Sequence, residues 1–184
     1  MSFDFEPLDI PEVVLVTPKR HRDARGWFME TYRQGAFVEA GIDLPFVQDN
    51  LVRSVAGVLR GMHFQMAPSA QGKLVGVTDG VIFDVAVDLR LEAPTHGRWV
   101  GRELDGESGC SLWIPPGFAH GYVVLSETAY VSYKVTAEYD PGLDRGFRWD
   151  DPDVAIDWPV SDPVLSDRDQ RLPMLREIDV GVDR

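Results

Sequence analysis

Proline and glycine punctuate this chain so often that no apolar stretch has room to grow into a long helix. Thirteen prolines and seventeen glycines cut it into the short runs VVLV, GWFMET, GVLRGMHF, KLVGV, VIFDVAVDL, LWIP, HGYVVL and AYVSYKV. Short runs of this kind, bounded by turn formers, predict an all-β sandwich or barrel. Helical signal is confined to YRQGAFVEAG, a short helix ending at Gly41, and DRDQRLPML, a turn stopped by Pro173. The clearest local signal is KLVGVTDGVIFDVAVDL, in which two strand-like runs meet at Asp79-Gly80. That dipeptide predicts a tight hairpin, because both central positions accept positive φ. In the second arm Ile82, Asp84, Ala86 and Asp88 alternate with Val81, Phe83, Val85, Val87 and Leu89. One side is therefore core, and the other lines a pocket or meets solvent. The tail after Asp151, rich in Asp and Pro, reads as coil wrapped on the body. With no repeat or linker, residues 1–184 are expected to form one domain.

Composition narrows the function. A formal charge of −12 weighs against sequence-independent nucleic-acid binding, which draws on a net basic surface to displace counterions from phosphates. An anionic small ligand still fits if basic groups converge locally. No apolar run approaches the roughly 18 residues of a membrane span, and no basic and apolar leader opens the sequence. The chain is therefore expected in the cytoplasm. Cys110 is the only cysteine, so no intrachain disulfide or Cys-based zinc cluster is available, and it reads as a residue filling space beside a strand.

Two histidines interrupt apolar, strand-like runs. His63 stands in GVLRGMHFQ three residues after Arg60, and strict alternation would put the two on opposite faces. Gly61, between them, is where a bulge would re-aim the side chains. Read alone, His63 is either a core histidine bonded to backbone or a general base lining a cavity. Arg60, if buried, is costly unless it sits at a rim or holds negative charge. In WIPPGFAHGYVVLS, His120 enters the next strand as its first polar group. Tyr133 alternates with Val131 and Ala129 in AYVSYKV, a face on which a tyrosine by itself reads as core packing. The spacing argues against a metal: no second histidine lies close to His63, and His21 and His96 fall in apparent loops.

Nine stretches running nearly end to end, DARGWFMETY, FVQDN, GVLRGMHFQ, QGKLV, IFDVAVD, WIPPGFAHGY, SYKVTAEYDP, AIDWP and LSDRD, resemble the dTDP-4-dehydrorhamnose 3,5-epimerases, a metal-free cupin family. The resemblance implies a cupin-type jelly-roll barrel with a few short helices, acting without cofactor or metal as a homodimer on a dTDP-sugar. It implies His63 as base, oriented by Asp169, with Lys73 at the oxyanion and Tyr133 as the opposed proton donor. It further implies Arg25, Glu30, Gln48, Asn50, Arg60, His120, Asp144 and Arg168 as substrate-binding residues, with Arg25, Arg60, Lys73 and Arg168 forming a local positive pocket. Met62, Asp144 and Arg168 stand where the family often has Leu, Glu and Lys. The first swap conserves volume, and the other two bear on substrate preference. Rival readings are an epimerase acting at one carbon, a non-catalytic sugar-nucleotide binder and a metal-dependent cupin. The retained His63, Asp169 and Tyr133 speak against the binder, and the missing histidine pair against the metal enzyme.

Overall fold

The computed structural model describes residues 2–178. Its strands, in chain order, are β1 (Phe3–Pro7), β2 (Val14–Pro18), β3 (Arg20–Asp23), β4 (Gly26–Met29), β5 (Gln48–Val55), β6 (Leu59–Gln65), β7 (Lys73–Asp79), β8 (Val81–Asp88), β9 (Trp99–Asp105), β10 (Ser111–Ile114), β11 (Phe118–Val124), β12 (Thr128–Val135) and β13 (Asp144–Gly146). A six-stranded sheet runs β1-β2-β10-β7-β12-β5, and a five-stranded sheet runs β13-β6-β11-β8-β9. Every ladder within them is antiparallel. The principal core, including Val75, Val77, Ile82, Ala86, Leu112, Tyr122, Val124 and Val131, draws side chains from both sheets. This is an all-β double-sheet body, as the short runs predict, and it is the jelly roll that the resemblance implies.

The hairpin expected at Asp79-Gly80 does not form. The turn is there, with Gly80 at φ +88°, but β7 pairs with β10 and β12 while β8 pairs with β11 and β9. The chain thus crosses from one sheet to the other at this point. Each run is buried along most of its length and lies inside its own sheet, so both edges of each are already paired. At the corner, Ser126 and Gly106 take up the freed backbone groups: Ser126 Oγ accepts from Val81 N, and Gly106 N donates to Gly80 O. Turn chemistry announces the reversal without saying which strand supplies the ladder.

Both faces of β8 are consequently covered. Ile82 and Ala86 face the core between the sheets. Val85, Val87 and Leu89 form a second cluster with Met62, Phe64 and Phe147, which the tail covers through Val154, Ile156, Trp158, Leu175 and Ile178. The tail is held by the buried Asp151, whose carboxylate accepts from the backbone N–H of Asp153 and of Leu175. Farther along, Val164 makes a parallel bridge to Val58, which carries the following residues, Ser166 to Asp169, back alongside β6.

The two expected helical turns are present. Helix α1 (Gln34–Glu39) buries Phe37 edge-on against Phe3, Phe5, Tyr32 and Phe46, and Gly41 follows it at φ +87°. A one-turn 3-10 helix, Asp169–Arg171, ends ahead of Pro173. Strands β3 and β4 form a separate two-stranded sheet that leaves Trp27 and Phe28 exposed. His21, expected in a loop, lies on β3. Among the described residues no helix is long and apolar enough to cross a membrane.

Candidate active site

The bulge anticipated at Gly61 shapes the site. On β11, His120 pairs with His63 and Tyr122 with Arg60, so three steps on β6 oppose two on β11. The extra residue turns both Arg60 and His63 toward the same cavity. Gly61 makes this possible: its φ is +142°, and a Cβ there would stand 2.6 Å from the Cα of Gly121 on the neighbouring strand.

That cavity, of about 420 Å³, is walled by both sheets. The five-stranded sheet contributes Arg60, His63, His120, Tyr122 and Asp144; the six-stranded sheet contributes Gln48, Asn50, Val52, Lys73 and Tyr133; the returning tail adds Ser166, Arg168 and Asp169. Ten of the twelve residues singled out in the sequence therefore meet here. Arg25 and Glu30 do not. Arg25 is tied at the β3–β4 turn to Asp23, and Glu30 lies near Arg33 at 3.9 Å. Their hairpin pairs only with itself, outside the barrel.

His63 and Asp169 form the shortest contact of the site, with His63 Nε2 2.6 Å from Asp169 Oδ1. Asp169 is nearly sealed from solvent and is further fixed by Ser166 Oγ accepting from its backbone N–H. Burial raises the Asp169 carboxyl, but the hydrogen bond and charge of His63 outweigh it and hold the group below the usual carboxylate range. The pair leaves His63 Nδ1 as the ring nitrogen open to a ligand, with the tautomer set by the carboxylate.

Lys73 is buried on the opposite wall, and its Nζ donates to the backbone carbonyl of His63 at 3.3 Å. Burial pulls its ammonium down to about 8, with Asp144 and Asp84 opposing. No carboxylate forms an ion pair with it among the described residues. Tyr133 joins the wall as the cavity-side end of the apolar face begun by Ala129 and Val131. The face is thus core at one end and cavity wall at the other. Burial pushes its phenol above the usual range, keeping the proton on oxygen.

His120 is held through Nε2 by Asp84 Oδ1 at 2.7 Å. Burial depresses its imidazole despite that carboxylate, so it stands neutral at pH 7. In the sequence Asp84 was legible only as one of two acids sharing a face of β8 that lines a pocket or meets solvent; here it is buried and supports a cavity histidine. The positive pocket is smaller than expected, since Arg168 pairs with Asp144 at 2.7 Å and Arg25 is elsewhere. Of the four cations expected in the pocket, Arg60, whose Nε donates to Ser54 Oγ, and Lys73 are left without an acidic partner among the described residues. Gln71, Tyr122, Tyr139 and Ser166 also line the cavity and were not singled out from the sequence. For Tyr122 the signal was there: it follows His120 by two residues on one strand and so shares its face.

Such an arrangement places an oriented base on one sheet, a protonated phenol on the other and a buried ammonium beside them. It is suited to moving a proton off one face of a carbon and onto the other. Comparison with known proteins agrees. A family model described as dTDP-4-dehydrorhamnose 3,5-epimerase matches residues 7–177. A Sinorhizobium fredii protein of that name is 48% identical over 96% of this chain and 92% of its own length. One from Pseudomonas aeruginosa is 52% identical over 89% and 91%. The crystal structure of a Legionella pneumophila dTDP-6-deoxy-D-glucose-3,5-epimerase in complex with dTDP-4-keto-L-rhamnose superposes with a TM-score of 0.94 at 43% identity, covering 99% of each chain.

Proposed function

The chain belongs to the dTDP-4-dehydrorhamnose 3,5-epimerase family, and from that membership and the cavity geometry we propose that it converts dTDP-4-dehydro-6-deoxyglucose to dTDP-4-dehydrorhamnose by inverting C3 and C5. The observation that carries this reading is the placement of the His63–Asp169 pair and Tyr133 on opposing sheets of one cavity. The C4 ketone acidifies the hydrogens on C3 and C5. His63 takes one of these protons, the bonding pair moves toward O4 as an enolate, and the Lys73 ammonium stabilises the charge that develops there. Tyr133 then delivers its proton to the same carbon from the other face, and the two side chains are reset through solvent. The neutral phenol and ionised Asp169 are the protonation states this sequence needs.

Arg60 holds the diphosphate, as the unpaired cation at the bulge. Gln48, Asn50, His120, Asp144 and Arg168 hold the remainder of the sugar nucleotide. Arg25 and Glu30 reach a cavity only from a second copy: the β3–β4 hairpin, whose strands pair only with each other and leave Trp27 and Phe28 exposed, and the residue that follows it deliver them across a homodimer interface. The enzyme is a single domain working in the cytoplasm, with no nucleic-acid or membrane partner.

Incubation with dTDP-4-keto-6-deoxyglucose in D2O, followed by NMR, tests the reading. Deuterium at both C3 and C5 with inverted product is expected. Incorporation at one carbon would replace it with the single-carbon epimerase, and incorporation at neither with a binding protein.

A further inference from the structure

Tyr122 is used by none of the steps above. Its side chain enters the principal core, the residue is only 3% exposed, and it lines the cavity beside Arg60. Its hydroxyl has no hydrogen-bond partner among the described residues. Ser54 Oγ, already accepting from Arg60 Nε at 3.1 Å, stands close enough to act on the phenol but does not reach full bonding geometry with it. A phenol so placed is a poor choice for packing alone, since leaving a buried donor unpaired costs more than a phenylalanine of the same shape. The register fixes its neighbours. Tyr122 lies opposite Arg60 on one side and Asp84 on the other, one inward position beyond His120.

Resting on the epimerase reading of this cavity, we propose that Tyr122 is a substrate-contacting, specificity-determining residue whose hydroxyl donates a hydrogen bond to a hydroxyl of the sugar ring. The sugar is the part of the substrate that must reach His63 and Tyr133. Arg60, next to Tyr122, marks where the diphosphate begins. A donor between these points meets the ring oxygens nearest the reacting face, and it is satisfied only when substrate is bound. Binding energy of this kind discriminates against sugars lacking that hydroxyl, because they would leave the buried donor unpaired.

Tyr122→Phe tests the proposal on the full-length protein. In the free variant, thermal stability should equal or exceed wild type, since an unpaired polar group has been removed. Stabilisation by dTDP should be unchanged. Stabilisation by the dTDP-4-keto-sugar should shrink, and kcat/KM should fall about five- to tenfold, the worth of one neutral hydrogen bond, mainly through KM. A less stable free variant with unchanged KM would make the hydroxyl structural. Equal losses for dTDP and the sugar nucleotide would place its contact on the nucleotide, and an unchanged kcat/KM would remove it from recognition; each overturns the proposal. A wild type that binds the sugar nucleotide but never inverts it would fail the epimerase reading instead, and the two ligand shifts would still decide Tyr122.

Discussion

Replacing Lys73 with methionine should make the protein more stable and nearly inactive. Lys73 is buried, and its ammonium is drawn from the ordinary 10.5 down to about 8 by loss of hydration. Below pH 8 the residue is charged in both the folded and unfolded chain, and the fold carries the whole penalty of that charge. As pH rises from 8 toward 10.5 the unfolded chain holds a proton that the folded one has released, so stability recovers. That fall from 10.5 to about 8 corresponds to about 3 kcal/mol. Methionine of similar length removes the charge but also the bond to the His63 carbonyl at 3.3 Å, which gives back about 1 kcal/mol. A net gain of about 2 kcal/mol at pH 7 amounts to roughly 4–8 °C in Tm for a chain of this size. Melts of both proteins at intervals from pH 7 to 10.5 should show that gain fading toward the alkaline end, because only the wild type has a penalty to lose. Turnover should fall about 10²- to 10³-fold, as for other single oxyanion donors. A variant less stable than wild type at pH 7, or a stability difference that ignores pH, would refute the reasoning.

His63→Asn should abolish deuterium exchange at both carbons, by about 10²- to 10⁴-fold, while dTDP still stabilises the protein against heat; near-normal turnover would remove His63 as the base. The dimer proposal is tested by coexpressing Arg25→Ala with Tyr133→Phe. If each hairpin completes its neighbour's cavity, mixed dimers regain one intact site, and random pairing restores about a quarter of the wild-type sites. If Arg25 serves its own chain, mixing restores nothing.

Much of the site was written locally. Gly61 between Arg60 and His63 announced the bulge because the two side chains could share a cavity in no other simple way. Period-two spacing put Asp84 and Asp88 on one face of β8 without saying whether it met a pocket or solvent. What lay beyond local reading was partnership. Asp79-Gly80 carries a hairpin's turn chemistry, yet the strands beside it find their ladders with β10, β12, β11 and β9, a choice made by distant segments. Asp169 reaches His63 across 106 positions of sequence, along a tail whose route depends on Asp151 and Val164. The sequence resemblance supplied that pairing where spacing had none to offer. It also named Arg25 and Glu30, which the fold leaves away from the cavity, because a motif records a residue's presence and not the surface it faces. Arg168 shows the same limit, since its charge was legible and its neutralisation by Asp144 was not.

Inversion requires that the proton leave by one face and return by the other, and Tyr133→Phe isolates the second half. With His63, Asp169 and Lys73 intact, the variant should still form the enolate but return a proton only from the histidine side, restoring the starting configuration. Exchange and inversion are read together by NMR in D2O, with a thermal melt confirming the fold. Deuterium should enter C3 or C5 faster than inverted product accumulates, to the extent that His63 exchanges with solvent during the enolate's lifetime. An unchanged ratio of exchange to inversion at near-normal turnover would contradict the account and return Tyr133 to the packing role its strand first suggested.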